Sequence, residues 1–391
     1  MTNRQIEARE ASPTDYRREF ADFEGVAYLN IAYQGPLPLV SARAAQSAIE
    51  SKKLPYQISD DLYFDLPDRI RANLARIIGV EREDIALTSG ASTGFSIVAA
   101  GIEWRPGDEI LIGQGEFPAH YAAWLPYQES GKVRVRVISP RGRFFIADDY
   151  IEEIGPRTRL VSASLVRFND GAMLDAARLA RACHDRDAML LLDASQGAGA
   201  LPLTVRDLAA DFVSSSGYKW LLGPYGTGFF WAARKWIEQF PCGPFYWQAL
   251  EGARNFHSLP LDHLRAAPGA RRWDAAETGN FINLAAWDAS LDLVVRIGVE
   301  TIANHNHALV SEIIERLPRD RYVLASPRER ERRGPYLSIS ARNPERNREV
   351  YERLRAEQIM VSLRENALRI APYLYNTHEQ IERVLNVLSL A

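Results

Sequence analysis

Between Ile85 and Ala232, short apolar runs alternate with stretches of helical periodicity, and this alternation narrows the possible folds more than any other feature. The runs are "IALTS" (85–89), "EILIG" (109–113), "VRVRVI" (133–138), "RLVSASL" (159–165), "MLLLD" (189–193), "DFVSSS" (211–216) and "TGFFWA" (227–232). Helix-like segments such as "SIVAAGIEW" and "DAARLARACHDRD" fall between many of them. Strands and helices in this order bury their apolar sides as a mostly parallel sheet wrapped by helices. The last connection differs. Only about ten residues separate Ser216 from Thr227, too few for a crossover helix, so the seventh strand is expected to run antiparallel.

After Gly269 the pattern changes. "INLAAWDASLDLVVRIG" reads as a long amphipathic helix, followed by a smaller α/β unit with strand candidates "YLSISA" (336–341) and "ALRIAPYL" (367–374). The basic run "SPRERERRG" (326–334) reads as a solvated loop rather than a binding patch. The expected organisation is an N-terminal segment (1–24) packed on the small domain, a large α/β domain (25–282) and a small C-terminal domain (283–391). A chain of 391 residues, 47% of them hydrophobic, can fill cores of that size. The formal charge of −3, with both signs mixed along the chain, gives no reason to expect a nucleic acid or an anionic membrane as partner. The two cysteines, Cys183 and Cys242, form no CxxC pattern and argue against a disulfide framework or zinc site. No apolar stretch has the length of a membrane span, and "MTNRQIEAREASPTDYRREF" has no signal-like apolar region, so a cytoplasmic location is expected.

In open α/β sheets, ligands gather at the C-terminal ends of the strands. The first strand runs into "TSGASTGFS", where the hydroxyls of Ser92 and Thr93 and the N–H groups opening a helix can hold a phosphate; an ordinary helix cap would look the same. The fifth ends in "LLLDASQGAG", which places Asp193 at the rim of a buried strand with Gln196 three residues on. A buried carboxylate needs a cationic or hydrogen-bonding partner. Just past the sixth strand, "SSSGYKWLLGPYGTG" sets Lys219 alone among small, aromatic and glycine residues. A phosphate site, a carboxylate and a desolvated lysine on one edge match pyridoxal phosphate, whose phosphate, ring nitrogen and aldehyde require those three partners.

The ordered segments "TSGAST", "GEFPAHYAAW", "DASQ", "SSSGYKWLLGPYGTG" and "LRIAPYLYNTHEQIERV" resemble the class V aminotransferase family, from "YLNIAYQGPLP" to the C-terminus. That family has the fold-type-I architecture and includes aminotransferases, cysteine desulfurases, kynureninases and an isopenicillin epimerase. The resemblance implies that Lys219 bonds to the cofactor aldehyde, Asp193 pairs with the ring nitrogen, and Gln196 lies near the phenolic oxygen. It places Ser92, Thr93, Ser216 and Tyr218 around the phosphate, and Arg369 on the substrate α-carboxylate. Thr278, in "ETGN", resembles a residue that reaches the neighbouring subunit's phosphate, which implies a homodimer.

Three positions depart from the family pattern. Phe117 stands where many members place a ring-stacking histidine; it can stack but cannot take a proton, which leaves acid–base work to Lys219. Arg167 replaces an asparagine or glutamine beside the phenolic oxygen, where it would stabilise a phenolate or hold a second substrate carboxylate. His120 occupies a position that is often asparagine, with a role in catalysis or in a local hydrogen bond. No cysteine follows Cys242, so a desulfurase nucleophile on the small domain is missing. The expected activity is therefore an aminotransferase acting on an amino acid, with a lyase or epimerase as the alternative. A non-catalytic relative is disfavoured by the presence of both Lys219 and Asp193.

Overall fold

The computed structural model describes residues 15–255, 257–259 and 261–390. The central sheet contains β2 (Ile85–Thr88), β3 (Asp108–Gly113), β4 (Val133–Ile138), β5 (Thr158–Ser164), β6 (Met189–Asp193), β7 (Phe212–Ser216) and β8 (Gly228–Ala232), which follow β1 (Ala27–Tyr28) in the chain. Their order is β2-β8-β7-β6-β5-β3-β4. All neighbours pair in parallel except β8, which is antiparallel to both β2 and β7. Each strand lies within a residue or two of its sequence-expected position, and the short 216–227 connection produces the antiparallel strand expected of it. Strands β6, β7 and β8 are buried along their whole length, β6 and β8 as continuous apolar runs require and β7 with its three serines enclosed between them. At the edge, β4 keeps Arg134 exposed and Arg136 paired with Glu109 and Glu153, a charged rim that discourages further strand addition.

The small C-terminal sheet has the order β12-β13-β10-β9, built from β9 (Tyr322–Leu324), β10 (Leu337–Ala341), β12 (Ser362–Arg364) and β13 (Ala367–Ile370). The 367–374 candidate stops at Ile370, where the chain turns past Pro372, a residue with no N–H for the ladder. A separate parallel pair joins β1 to β11 (Ile359–Met360). The chain from β1 onward forms a strap: Ala27 N donates to Gln358 O, Leu29 N to Met360 O and Ile31 N to Ala371 O, and Gly35 N then donates to Tyr218 O. Gly35 has to be glycine, because an added Cβ would lie 2.2 Å from the carbonyl oxygen of Lys219.

The expected long helix spans Phe281–Ile297 and braces the Lys219 turn from behind. Ser290 Oγ donates to Leu222 O at 2.8 Å, and Trp287 packs so closely on Gly217 and Gly223 that neither could carry a side chain without displacing it. Phe20 packs edge-on against Tyr373 and Tyr375, with ring centroids 6.2 and 5.1 Å apart; residues 1–14 of the N-terminal segment lie outside the described residues. The basic run is solvated only in part. Residues 328–332 are exposed, but Arg333 is buried, bridges to Ala172 and donates to the carbonyls of Pro327 and Arg328. Among the described residues, no helix is long and apolar enough to cross a membrane.

Candidate active site

The C-terminal ends of β2, β5, β6 and β7 and the turn after β7 converge on one rim. At the end of β2, the helix Ala91–Gly101 starts at Gly90 with no side-chain cap, which leaves its first N–H groups open to an anion. Thr93 Oγ1 lies 2.8 Å from Ser89 Oγ, and Ser92 is exposed. Strand β8 reaches this turn because Gly228 and Gly90 are both glycine; a Cβ on Gly228 would meet Gly90 Cα at 2.6 Å. Ser216, at the end of β7, is buried, and its hydroxyl has no hydrogen-bond partner.

Asp193 is held at the end of β6. Its Oδ1 accepts from Ser195 N at 2.7 Å, and its Oδ2 lies 3.9 Å from His120 Nε2. His120 is fully buried; its Nδ1 is 2.8 Å from Ser162 Oγ and its Nε2 is 3.2 Å from Ser164 Oγ. Behind it, Glu116 lies 3.7 Å from His120 Nε2, accepts from Ser164 N and Ser164 Oγ, and pairs with Arg167 Nη1 at 3.2 Å. Burial alone would raise the Glu116 pKa, but His120, Arg167 and the Ser164 hydrogen bonds together hold it below the ordinary value. The Arg167 guanidinium also donates to Gln114 O at 2.7 Å and covers the Phe145 ring at 4.5 Å, so it is committed to Glu116 and its surroundings. Arg167, Glu116, His120 and Asp193 form one buried chain of charged and polar contacts.

Lys219 is half-buried, with its Nζ 5.8 Å from the centroid of Phe117 and 5.6 Å from that of Tyr218. Burial pushes its pKa down to about 8, against the attraction of Asp193; Arg369 and Arg364 push in the same direction as burial. Phe117 is 44% exposed and rests edge-on against Phe168. The Gln196 amide is engaged, donating to Ala32 O at 3.0 Å and accepting from Trp220 Nε1 at 2.8 Å, with one amide hydrogen left over.

Arg369 enters from β13 and is 2% exposed. Its Nη1 donates to Phe168 O at 2.7 Å, its Nε has no partner, and its guanidinium lies 5.6 Å from the Tyr336 ring. No acid among the described residues lies within ion-pair distance of it. Glu365, its neighbour in sequence, sits exposed at the β12–β13 turn. Burial lowers the Arg369 pKa to about 10. Thr278 is set apart, its hydroxyl donating to Ala275 O in the turn before the long helix.

The sequence-expected residues Asp193, Phe117, Tyr218 and Arg369 thus gather about Lys219, with Ser216 two residues before Tyr218 and with Ser92 and Thr93 at the helix N-terminus on the same rim. Sequence reasoning did not single out Glu116, although it lies at helical spacing (i, i+4) from His120. Nor did it single out Arg364, whose strand is only three residues long.

A sequence model described as aminotransferase class-V matches residues 63–384. The chain belongs to the aminotransferase class-V family. A probable cysteine desulfurase of Methanothermobacter thermautotrophicus is 27% identical, over 76% of this chain and 74% of that one. The isopenicillin N epimerase of Streptomyces clavuligerus is 26% identical, over 93% and 94%. A solved structure of a C-DES variant, with glycine covalently linked to its PLP cofactor, superposes with a TM-score of 0.85 at 22% identity, covering 95% of this chain and 98% of that one. That likeness carries the fold, which is fold type I. The cofactor of this class-V enzyme is pyridoxal 5′-phosphate. The site's own groups fit it: an amine of lowered pKa, a carboxylate on the same rim, and an uncapped helix N-terminus beside the unpartnered Ser216 hydroxyl.

Proposed function

We propose that this class-V enzyme is an aminotransferase acting on an α-amino acid. The observation that carries the proposal is the pairing of Lys219, an amine poised near neutral pH, with a facing aromatic, Phe117, that carries no proton. Lys219 would hold the cofactor through its aldehyde, and its neutral amine would serve as the general base that takes the proton from the substrate Cα and hands it on. The bound cofactor supplies an electron sink for the bond broken at Cα. Asp193 keeps the ring nitrogen protonated, and His120 and Glu116 hold that carboxylate in place. The open N–H groups at Gly90, with Ser92, Thr93, Ser216 and Tyr218, bind the phosphate. Gln196 offers its remaining amide hydrogen toward the phenolic oxygen. Arg369, buried without an acid, receives the α-carboxylate through a bidentate fork. Arg167 acts at one remove, as the counter-ion of Glu116.

Epimerisation by two bases needs a proton carrier on each side of Cα, and Phe117 supplies none. A second reading is β-elimination, favoured by the desulfurase name of the Methanothermobacter relative. A protein persulfide has no acceptor here. Cys183 is fully buried in a helix with its thiol pushed up to about 12, and Cys242 is half-buried against Ile97 O, outside the small domain. Elimination would have to expel the β-substituent directly.

The test incubates the cofactor-loaded enzyme with a panel of amino acids, with and without a 2-oxo acid, and identifies products by mass spectrometry. Amino-group exchange that depends on the oxo acid supports the aminotransferase. Release of ammonia and a β-substituent without an acceptor supports the lyase, and an unchanged panel overturns both. The expected cytoplasmic location and homodimer, with Thr278 contributed across the interface, belong to the same proposal. An active monomer in sedimentation would remove the dimer from it.

A further inference from the structure

The β12–β13 hairpin brings a second arginine to the site. Ser362 pairs with Arg369 and Arg364 with Ala367. Cross-strand partners, and residues two apart on one strand, share a face, so Arg364 and Arg369 lie on the same side of the hairpin. They are diagonal neighbours, with Cα atoms about 7–8 Å apart in such a pair. The opposite face, with Leu363 and Leu368, packs into the apolar core of the small domain.

Arg364 is half-buried, and its guanidinium lies 5.3 Å from the centroid of Tyr33. Tyr33 is 55% exposed and belongs to the strap, two residues before Gly35, whose N–H donates to Tyr218 O and which has no room for a Cβ beside the Lys219 carbonyl oxygen. The strap therefore carries Arg364's aromatic perch directly to the reactive lysine. Among the described residues, Arg364 has no ion pair, and the adjacent Glu365 does not fold back onto it. Arg364 also depresses the pKa values of both Lys219 and Arg369, which places its charge within electrostatic range of both. Arg167, the other candidate for a second substrate carboxylate, is already neutralised by Glu116.

We propose that Arg364 is a specificity-determining residue, and that the substrate is an α-amino acid whose side chain ends in an acidic group held by it. The proposal rests on the reading that Arg369 holds the α-carboxylate. Two forked cations rooted one hairpin diagonal apart can grip the two anionic ends of a short dicarboxylic amino acid. The Arg364 guanidinium lies over the Tyr33 ring, a cation–π contact that restrains it, and a charge-assisted pair formed there is stronger than a neutral hydrogen bond.

The test measures dissociation constants by titrating the visible absorbance of the cofactor-loaded protein, which requires binding but not turnover. The ligands are aspartate against asparagine, and glutamate against glutamine. Wild type is expected to bind at least one acid about 10- to 100-fold more tightly than its amide. In Arg364→Gln that ratio is expected to fall towards one, while Arg364→Lys keeps part of it. In Arg369→Gln, acid and amide are both expected to weaken, because the shared α-carboxylate loses its partner. No acid preference in wild type, or a preference that survives Arg364→Gln, overturns the proposal. Tight binding of neutral amino acids alone would overturn it while leaving the α-carboxylate reading intact. Indifference of every ligand to Arg369→Gln would instead remove the reading on which it rests.

Discussion

At the strand ends, Asp193, His120, Glu116 and Arg167 form a continuous chain of contacts, whereas Arg364 and Arg369, on the small-domain side, form no ion pair among the described residues. Burying a charge without a partner costs several kcal/mol, so folding alone would select against the second arrangement. The paired wall is finished when the chain folds. Under the proposal, the unpaired wall is finished only when an anionic ligand arrives. On the proposed reading, the difference separates the side that serves the cofactor from the side that recognises the substrate, and it can be tested by measuring stability and activity on the same variants.

The largest effect is expected at the lysine between the two walls. Lys219→Ala should lose the borohydride-reducible chromophore and at least about a thousandfold in turnover, with the melting temperature of the cofactor-free protein nearly unchanged. Retention of the chromophore would remove Lys219 from its role. On the paired wall, Glu116→Gln leaves buried Arg167 with only the more distant Asp170 carboxylate, 3.9 Å from its Nε, and should destabilise the fold by about 3 kcal/mol in denaturant titration. An unchanged midpoint would show that the chain of contacts is ornamental to stability.

The unpaired wall should behave in the opposite way. Arg369→Met removes a buried cation that has no acid, so stability should hold or rise while amino-acid binding is lost. Arg369→Lys keeps the charge but not the fork, and should cost about 2–3 kcal/mol, or roughly 30- to 150-fold in kcat/KM. The smallest expected effect concerns pH. Cofactor attachment to the stripped enzyme needs neutral Lys219, so its rate should climb as pH passes upward through about 8. Arg364→Gln removes a charge that disfavours protonation and should move that limb to higher pH. The folded-state pKa lies below the ordinary 10.5, so the unfolded chain binds the extra proton between the two values. Across that window, Lys219 makes the cofactor-free protein more stable as pH rises.

Much of the large sheet was legible because several of its strands are continuous apolar runs, and a run such as "MLLLD" or "TGFFWA" is buried on both faces wherever it sits in the order. Lys219, Asp193 and Arg369 were legible because each is a single charge in an apolar or glycine-rich setting. The strands β1, β9, β11 and β12 were not, since two or three residues carry no periodicity. Arg167 was expected beside the phenolic oxygen. Its buried partner is Glu116, from the loop before the short helix Ala119–Ala122, where nothing in the sequence pattern marks it as packed against Ser164 and His120. The facing of Arg364 and Arg369 depends on hairpin register, fixed by the positive-φ pair Glu365 and Asn366, and one residue of slip would send Arg364 to the other side.

The strap has a consequence for how the molecule is made. Asn30 Oδ1 accepts from Ser362 Oγ across 332 residues of intervening chain, and the backbone bonds of Ala27, Leu29 and Ile31 close over similar spans. A ribosome adding roughly 5–20 residues per second needs on the order of 20–70 s to supply the other half of that ladder. In the last part of that interval, between the synthesis of Ala232 and of Ser362, the sheet that carries Lys219 has all seven of its strands, whereas Leu29, fully buried in the finished protein, still lacks the small-domain core it packs into. The reactive lysine is therefore synthesised well before the segment that walls it in. Free cofactor can reach the nascent large domain during that time, before the small domain closes the strap over the turn.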